Sequence, residues 1–342
     1  MNNLFPSFIE YYIAELRQRG RKPSTIKRYL YDLNDFSFWL HKKRATTDSI
    51  DWKTITKEEL ELFFSELVEK RNYHIRTVRR IHSVLRQLHR YQKSHHQTEL
   101  APIELIDPPE LVAETLEPSD WITKKEEQQL LKTMRSTDSL SDQQIETFPF
   151  YKERNEFIVR LFLHYGLSLH EVHELSMNNL KFERNELLIF DTIETRTIKL
   201  KEEDKQLAYT YFKTIPEPVR PRYYSNDPFI VAFDFKRKTF HWSYDNDEPK
   251  RMSMIAIQKM VRTEVKRASL RKGISAQTLR NTFILSTLIR KNQIENLIAT
   301  IGYTTPLSLN RYLQTVESFS QEQINELILA REQLTYKKEK AL

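Results

Sequence analysis

Cysteine is absent from the 342 residues. That excludes disulfides and thiolate metal sites, and fits a reducing compartment, the cytoplasm. Glycine is almost absent as well, confined to Gly20, Gly166, Gly273 and Gly302. Glycine is the usual residue for positive-φ turns, so this scarcity argues against many tight hairpins and for long helices. No apolar run approaches the ~20 residues needed to span a bilayer. Glu10 and Glu15 interrupt the start of the chain, so it lacks the shape of a signal peptide. No internal repeat or low-complexity stretch is visible. What the chain has in excess is positive charge: +7 formally, with a pI near 9.2. An acidic partner is implied, most often nucleic acid.

Helical periodicity runs through most of the chain. Residues 4–19 and 24–43 read as amphipathic helices, the second with Ser24 as a cap and Tyr29, Leu33, Phe36 and Leu40 along one face. Thr56-Lys57-Glu58-Glu59 is a capping box opening a third helix, and 74–94 make a fourth. Pro102, Pro108, Pro109 and Pro118 predict an extended connector over 101–120. Thr123-Lys124-Lys125-Glu126 then caps the first helix of a second domain, and a long helix is expected over 153–166. Leu187–Asp191 and Thr195–Leu200 read as a short hairpin, with further strands at Phe229–Phe233 and Thr239–Trp242. Helices are expected at 202–213, 254–271, 276–290, 293–300 and 306–315. The tail, 320–338, is amphipathic. The fold class is therefore mainly α with a small β-sheet, in two domains: 1–100, and 121–318 followed by a C-terminal helix within 319–342.

Two segments concentrate the charge. Residues 71–96 hold Arg71, Arg76, Arg79, Arg80, Arg86, Arg90 and Lys93 and no acid. Arg76, Arg79, Ser83, Arg86 and Arg90 follow one helical stripe, beside His82 and His89. Solvated faces usually mix signs, so DNA contact is the better reading. A helix fits the major groove, where arginine meets phosphates or bridges guanine O6 and N7. Lys22, Lys27 and Arg28 form a smaller cluster. The second segment, 250–272, carries Lys259, Arg262 and Lys266 among eight basic residues against one acid, Glu264. Two basic domains on an extended linker suit a clamp around a duplex. The histidines at 74, 82, 89, 95 and 96 lack metal-type spacing and nearby acids, which favours DNA-facing or surface roles. No metal and no cofactor is expected.

One run gives the chain a family likeness. Ala276-Gln277-Thr278-Leu279-Arg280-Asn281-Thr282-Phe283 resembles the His-x-Leu-Arg-His-Thr-Phe box of tyrosine recombinases, the phage-integrase family. Ile301-Gly302-Tyr303 stands where that family writes Leu-Gly-His, and nine positions later Tyr312 stands at its nucleophile. Tyr165-Gly166-Leu167-Ser168-Leu169-His170-Glu171-Val172 resembles Thr-Gly-Leu-Arg-Ile-Ser-Glu-Leu. The resemblance spans about residues 4–335. It implies a helical core-binding domain followed by an integrase-like catalytic domain.

In that family a tyrosine oxygen attacks a DNA phosphodiester. Two arginines and a histidine-type donor hold the charged oxygens, and a hairpin lysine protonates the leaving group. Tyrosine, with a pKa near 10, is a poor nucleophile without that field, and losing one such donor costs ~10²–10³ in rate. Arg280 and Tyr312 match the pattern, as does Glu171. Ser168 replaces the first arginine, Gln277 the histidine and Tyr303 the third-motif donor. The hairpin between Leu187 and Leu200 offers Asp191, Glu194 and Arg196 with no lysine at its tip, and Lys199 sits at the end of the second strand. Arg160 and Arg184, the nearest arginines to the first motif, lack its context. The resemblance therefore implies a sequence-specific DNA-binding protein that does not cut, acting as a repressor of transcription that maintains prophage lysogeny. Gln277, Arg280 and Asn281 share a helical face and are candidate DNA contacts. The alternatives are an active recombinase with substituted donors, and an accessory factor for an active integrase. The C-terminal helix either packs on its own domain or docks into another protomer. Any regulatory partner is unspecified.

Overall fold

The computed structural model describes residues 6–46, 48, 50–95, 100–110, 115–190, 195–291, 294–302 and 306–328. It divides into two compact units, Met1–Val112 and Ala113–Leu342.

The first unit contains α1 (Ser7–Gln18), α2 (Pro23–Arg44), α3 (Lys57–Glu69) and α4 (Ile75–Ser94). Ser24 does not cap α2. Pro23 occupies the first helical turn instead, and Lys22 precedes it with no side-chain cap bond. Proline's missing N–H and fixed φ suit that position. The capping box of α3 forms as the sequence predicts: Thr56 Oγ1 accepts from Glu59 N at 3.2 Å, and Glu59 accepts from Thr56 N at 3.0 Å. Trp52 is fully buried, with Phe8 and Phe36 edge-on to it at 5.3 and 5.2 Å.

His82 and His89 correct the reading of α4. Both are buried, alongside Val78, Ile81, Val84, Leu85 and Leu88. His82 Nε2 lies 2.8 Å from the Ile106 carbonyl, and His89 Nε2 lies 3.2 Å from Glu104. Burial pushes the His82 pKa down. The segment expected to be extended from 101 is instead folded. Ala101–Leu105 is a 3₁₀ turn, Pro102 lies at its start, and Ile103 joins the core.

The second unit opens on α5 (Lys124–Arg135) and α6 (Asp142–Tyr165). Helix α6 begins well before the expected residue 153. Pro149 lies inside it, and a proline normally marks a helix end because it lacks an N–H and clashes with the preceding turn. Ser141 and Gln144 form a capping box at the true start. Phe157, Ile158, Val159, Leu161 and Phe162 are all fully buried. Apolar burial all round identifies α6 as the unit's central helix. Arg160 and Glu156 on it are matched by ion pairs. Arg160 bridges Glu156 at 2.8 Å and Asp204 at 2.5 Å, and Arg135 reaches Glu156 at 2.6 Å.

Gly166 ends α6 at φ +64, and a Cβ there would lie 2.3 Å from the Phe283 ring. Next come α7 (Leu169–Glu174) and an antiparallel sheet of β1 (Leu180–Lys181), β2 (Glu186–Phe190) and β3 (Thr195–Lys199), with Leu187 opposite Ile198. After α8 (Glu202–Thr214), two short ladders replace the two longer strands expected: β4 (Phe233–Asp234) with β5 (Thr239–Phe240), and β6 (Trp242–Ser243) with β7 (Glu248–Pro249). Then follow α9 (Met254–Arg267), α10 (Ala276–Lys291), α11 (Ile294–Ile301), α12 (Asn310–Glu317) and α13 (Gln321–Leu327). Leu327 and Ile328 are buried in one cluster with Trp121, Ile284 and Tyr312, so the described start of the C-terminal helix packs on its own unit. Residues 329–338 of the expected helix lie outside the described residues.

Candidate nucleic-acid interface

Ser168 is the N-cap of α7. Its hydroxyl accepts from Glu171 N at 3.3 Å, and Glu171 Oε2 accepts from Ser168 N at 2.6 Å. The sequence Ser-Leu-His-Glu is a capping box, so the hydroxyl serves its own helix. The Glu171 carboxylate also receives two guanidiniums: Arg196 at 2.6 Å on Oε1 and Arg280 at 3.2 Å on Oε2. Burial alone would raise the Glu171 pKa. The Ser168 N–H and the two arginines outweigh it and hold the carboxyl below its ordinary value.

The same two arginines cap the C-terminus of α11. Arg196 Nε donates to the Thr300 carbonyl at 3.0 Å, and Arg280 donates to the Ile301 carbonyl at 2.8 Å. Carbonyls at a helix C-terminus lack intrahelical partners and carry partial negative charge, which favours cations. Gly302 follows at φ +69, where a Cβ would stand 2.4 Å from the Arg196 guanidinium. Glycine is therefore required twice, for the backbone and for the arginine laid against it.

Tyr312 lies on α12, only 2% exposed. Its hydroxyl donates to Asn281 Oδ1 at 2.9 Å, and Gln277 Nε2 donates to the same oxygen at 2.8 Å. Asn281 Nδ2 donates to the Asp120 carbonyl at 2.9 Å. Asn281 is thus a buried hub, 3% exposed. This corrects its expected role in touching DNA: its amide is occupied by protein on both ends. Gln277 is exposed and Arg280 is buried.

The basic segments divide into pinned and outward residues. On α9, Lys259, Arg262 and Lys266 are all exposed. Nearby, Arg251 donates to the His173 and Leu175 carbonyls, and Arg271 pairs with Glu126 at 3.0 Å. In the first unit Lys22, Lys27, Arg28, Arg76 and Arg90 are exposed. Arg86 is half-buried. Arg80 pairs with the buried Asp32 at 2.6 Å, and Arg79 donates to the Pro109 carbonyl. Arg79, expected on the open stripe, and Arg80, expected to contact DNA, are therefore partly spent on the unit's own structure. Between α2 and α4 lies a concavity of about 720 Å³, whose rim includes Lys27, Arg28, Tyr31 and Phe38. Both aromatic rings are exposed. Among the described residues there is no group of three His, Asp or Glu able to hold a metal ion.

Residues 8–99 match the family described as "Phage integrase, N-terminal SAM-like domain". Tyrosine recombinase XerC from Caldanaerobacter subterraneus subsp. tengcongensis is 25% identical over 336 residues, covering 92% of this chain and 84% of that protein. Among solved structures, XerH site-specific recombinase bound to difH substrate aligns at 15% identity and TM-score 0.61, over 92% of this chain and 81% of that one. A lambda integrase dimer bound to a COC' core site aligns at 12% identity and TM-score 0.58, over 92% and 97%. The chain carries a phage-integrase SAM-like domain over residues 8–99 and has the two-domain fold of the tyrosine recombinases.

Against the tyrosine-recombinase pattern, the residue that sequence reasoning missed is Arg196. The sequence marks it only as a hairpin residue. Strand alternation carried the signal: Arg196 shares a face with Ile198, which is buried, so it points inward. Lys199 points away, bonded to Glu186 at 2.9 Å and to the Arg184 carbonyl at 3.2 Å. Arg160 belongs to the internal ion network of α6 and is no substitute for a site arginine. Asp191, Glu194 and Tyr303 lie outside the described residues.

Glu171 yields a pH prediction. Its folded pKa is depressed, so its stabilising contribution is fully present above the unfolded value of about 4.5 and is lost as pH falls through the folded value. Thermal unfolding of wild type and Glu171→Gln should therefore differ most near neutrality, with wild type higher, and converge on acidification toward pH 3. A gap that stays constant with pH would show that the carboxylate charge is not what ties the two arginines.

Proposed function

We propose that this chain is a DNA-binding protein on a tyrosine-recombinase fold that does not cut DNA, acting as a transcriptional repressor that maintains prophage lysogeny. The observation that carries the reading is the state of Tyr312, buried with its hydroxyl donated to Asn281. A nucleophile needs an activating base or cationic field at its oxygen; here the hydroxyl is donated to the amide oxygen of Asn281. Ser168, in the first-arginine position, caps a helix. Double-stranded DNA is the partner of choice because the XerH and lambda integrase structures are of DNA complexes. The surfaces assigned to it are Lys259, Arg262 and Lys266 on α9, and Lys22, Lys27, Arg28, Arg76, Arg86 and Arg90 in the first unit. Gln277 is assigned a place at the edge of the same site, and Arg280 a backbone phosphate. Arg79 and Arg80 belong to this surface only if they exchange Pro109 and Asp32 for phosphate. Self-association through the segment beyond Ile328 completes the reading.

A second reading has one observation in its favour. Arg196 and Arg280 converge on Glu171, which gives the site two guanidiniums despite Ser168. An active recombinase would use them on the scissile phosphate.

Gel shifts on fragments of the source genome, run natively and in SDS, separate the two. The repressor reading expects a specific native shift on promoter fragments, no SDS-resistant adduct, and Tyr312→Phe affinity within about threefold of wild type, since the buried hydroxyl is bonded inside the protein and not to DNA. An SDS-resistant adduct that disappears in Tyr312→Phe would overturn it. A shift confined to attachment-site DNA would point to an accessory factor.

A further inference from the structure

The second unit contains a cavity of about 730 Å³ bounded by α6, α9 and the β4–β7 ladders. Its walls are apolar on one side, with Tyr151, Phe233, Phe235, Met252 and Met260. Its charged lining is Arg154, Lys259, Lys266 and Arg267 against a single carboxylate, Glu264. That carboxylate is already used: Oε2 pairs with Arg267 at 2.8 Å, and Oε1 accepts from Asn155 at 3.1 Å.

Arg154 is the unusual member. It is 1% exposed, and the acceptors bonded to it are neutral: Asn155 Oδ1 at 3.2 and 3.1 Å, and the Val231 carbonyl at 3.1 Å. A guanidinium has five N–H donors, and these bonds use three. Burying a cation without a counterion costs several kcal/mol, so buried charges are normally paired. Glu264 is the nearby carboxylate, but it is bonded to Asn155 and Arg267 and not to Arg154; a directly bonded anion has a place to sit, because Arg154 itself lines the cavity.

We propose that this cavity is a binding site for an amphipathic organic carboxylate, its head on Arg154 and its body against Phe233, Phe235 and Met260. The volume lies in the range of small-molecule sites, which are mostly apolar with a few convergent polar groups. An inorganic anion would satisfy Arg154 but leave the aromatic wall wet. A DNA phosphate, fixed on a rigid duplex, cannot follow the walls inward. Phe235, half exposed at the rim, fits the apolar body of such a ligand. The site also has a consequence that rests on the proposed function. Lys259 and Lys266 line the cavity and belong to the proposed DNA surface, so ligand and DNA draw on the same two cations. Each should weaken the other by the same factor.

The probe is octanoate, titrated calorimetrically into the full chain, with 1-octanol and inorganic phosphate as controls for body and head alone. Saturable octanoate binding is expected, with both controls weaker by about tenfold or more, the scale of one lost charged contact. Arg154→Met should weaken octanoate by a similar factor. If that variant does not fold, Thr263→Trp decides: Thr263 is exposed on the cavity lining, bonded only within its own helix, and tryptophan there should block the ligand. No saturable binding, equal binding of octanol, or undiminished binding by Thr263→Trp would each overturn the site. Because these readouts need no DNA, failure of the DNA-binding reading leaves them intact. Octanoate that binds yet leaves the DNA gel shift unchanged would overturn the coupling.

Discussion

Replacing Lys259, Arg262 and Lys266 together by alanine should lower DNA affinity on the order of 10²-fold at moderate salt and flatten its salt dependence. Each phosphate neutralised releases condensed counterions, contributing about 0.9 to the slope of log K against log salt, so three lost contacts remove roughly 2.7. All three side chains are exposed on α9, and surface substitutions of this kind usually change stability by less than about 0.5 kcal/mol. The loss should therefore appear in binding with the melting temperature unchanged. The slope is the sharper readout, because a general loss of folded protein would scale K without altering it. An unaltered slope would remove α9 from the DNA surface. The counterpart is Arg280→Ala: its bonds to Glu171 and Ile301 are internal, so it should disturb stability as well as binding.

The second large effect is on stability. Arg160→Met should destabilise the second unit by about 3–5 kcal/mol, because Asp204 would be left buried without its cation. Asp204 is fully buried, and Arg160 meets it at 2.5 Å while also holding Glu156 at 2.8 Å. Glu156 keeps Arg135 as a partner; Asp204 keeps only the neutral Tyr165 hydroxyl and Arg160's loss is not made good. For a unit of this size the change corresponds to a melting shift on the order of 10 °C. The double variant Arg160→Met with Asp204→Asn should recover part of the loss, since a neutral pair removes the stranded charge. Equal destabilisation by single and double variants would mean that packing, not charge, sets the cost.

Much of the architecture was legible because it rests on local signals. The capping boxes at Thr56 and Thr123 open α3 and α5 where expected, and the glycines at 166 and 302 occupy positive-φ positions beside the site. What was not legible depends on tertiary partners. Pro149 punctuates the sequence but not the helix, since the buried face of α6 continues past it. His82 and His89 look like members of a basic stripe until α4 is packed and their rings face Ile106 and Glu104. Asn281 has the chemistry of a base reader, yet residues 120 and 312 claim its amide. Arg196 reads in sequence only as a hairpin residue, yet it shares a carboxylate with Arg280, a meeting of α7, β3 and α10 that no local window contains.

The way the second unit is fastened also sets a timetable for its synthesis. Leu116 N donates to Thr315 Oγ1 across 199 positions, Ile122 N donates to Thr282 Oγ1 across 160, and the Trp121 ring packs on Phe319 at 5.1 Å. The unit's first residues are completed by its last helices. The first unit is compact within Met1–Val112, and domains generally fold as units, N-terminal first, during synthesis. At about 5–20 residues per second, the Leu116–Trp121 segment waits roughly 10–40 s for α12 to emerge. During that interval its apolar side chains are exposed to solvent or to a chaperone, so a newborn molecule carries a finished first unit well before the second can close.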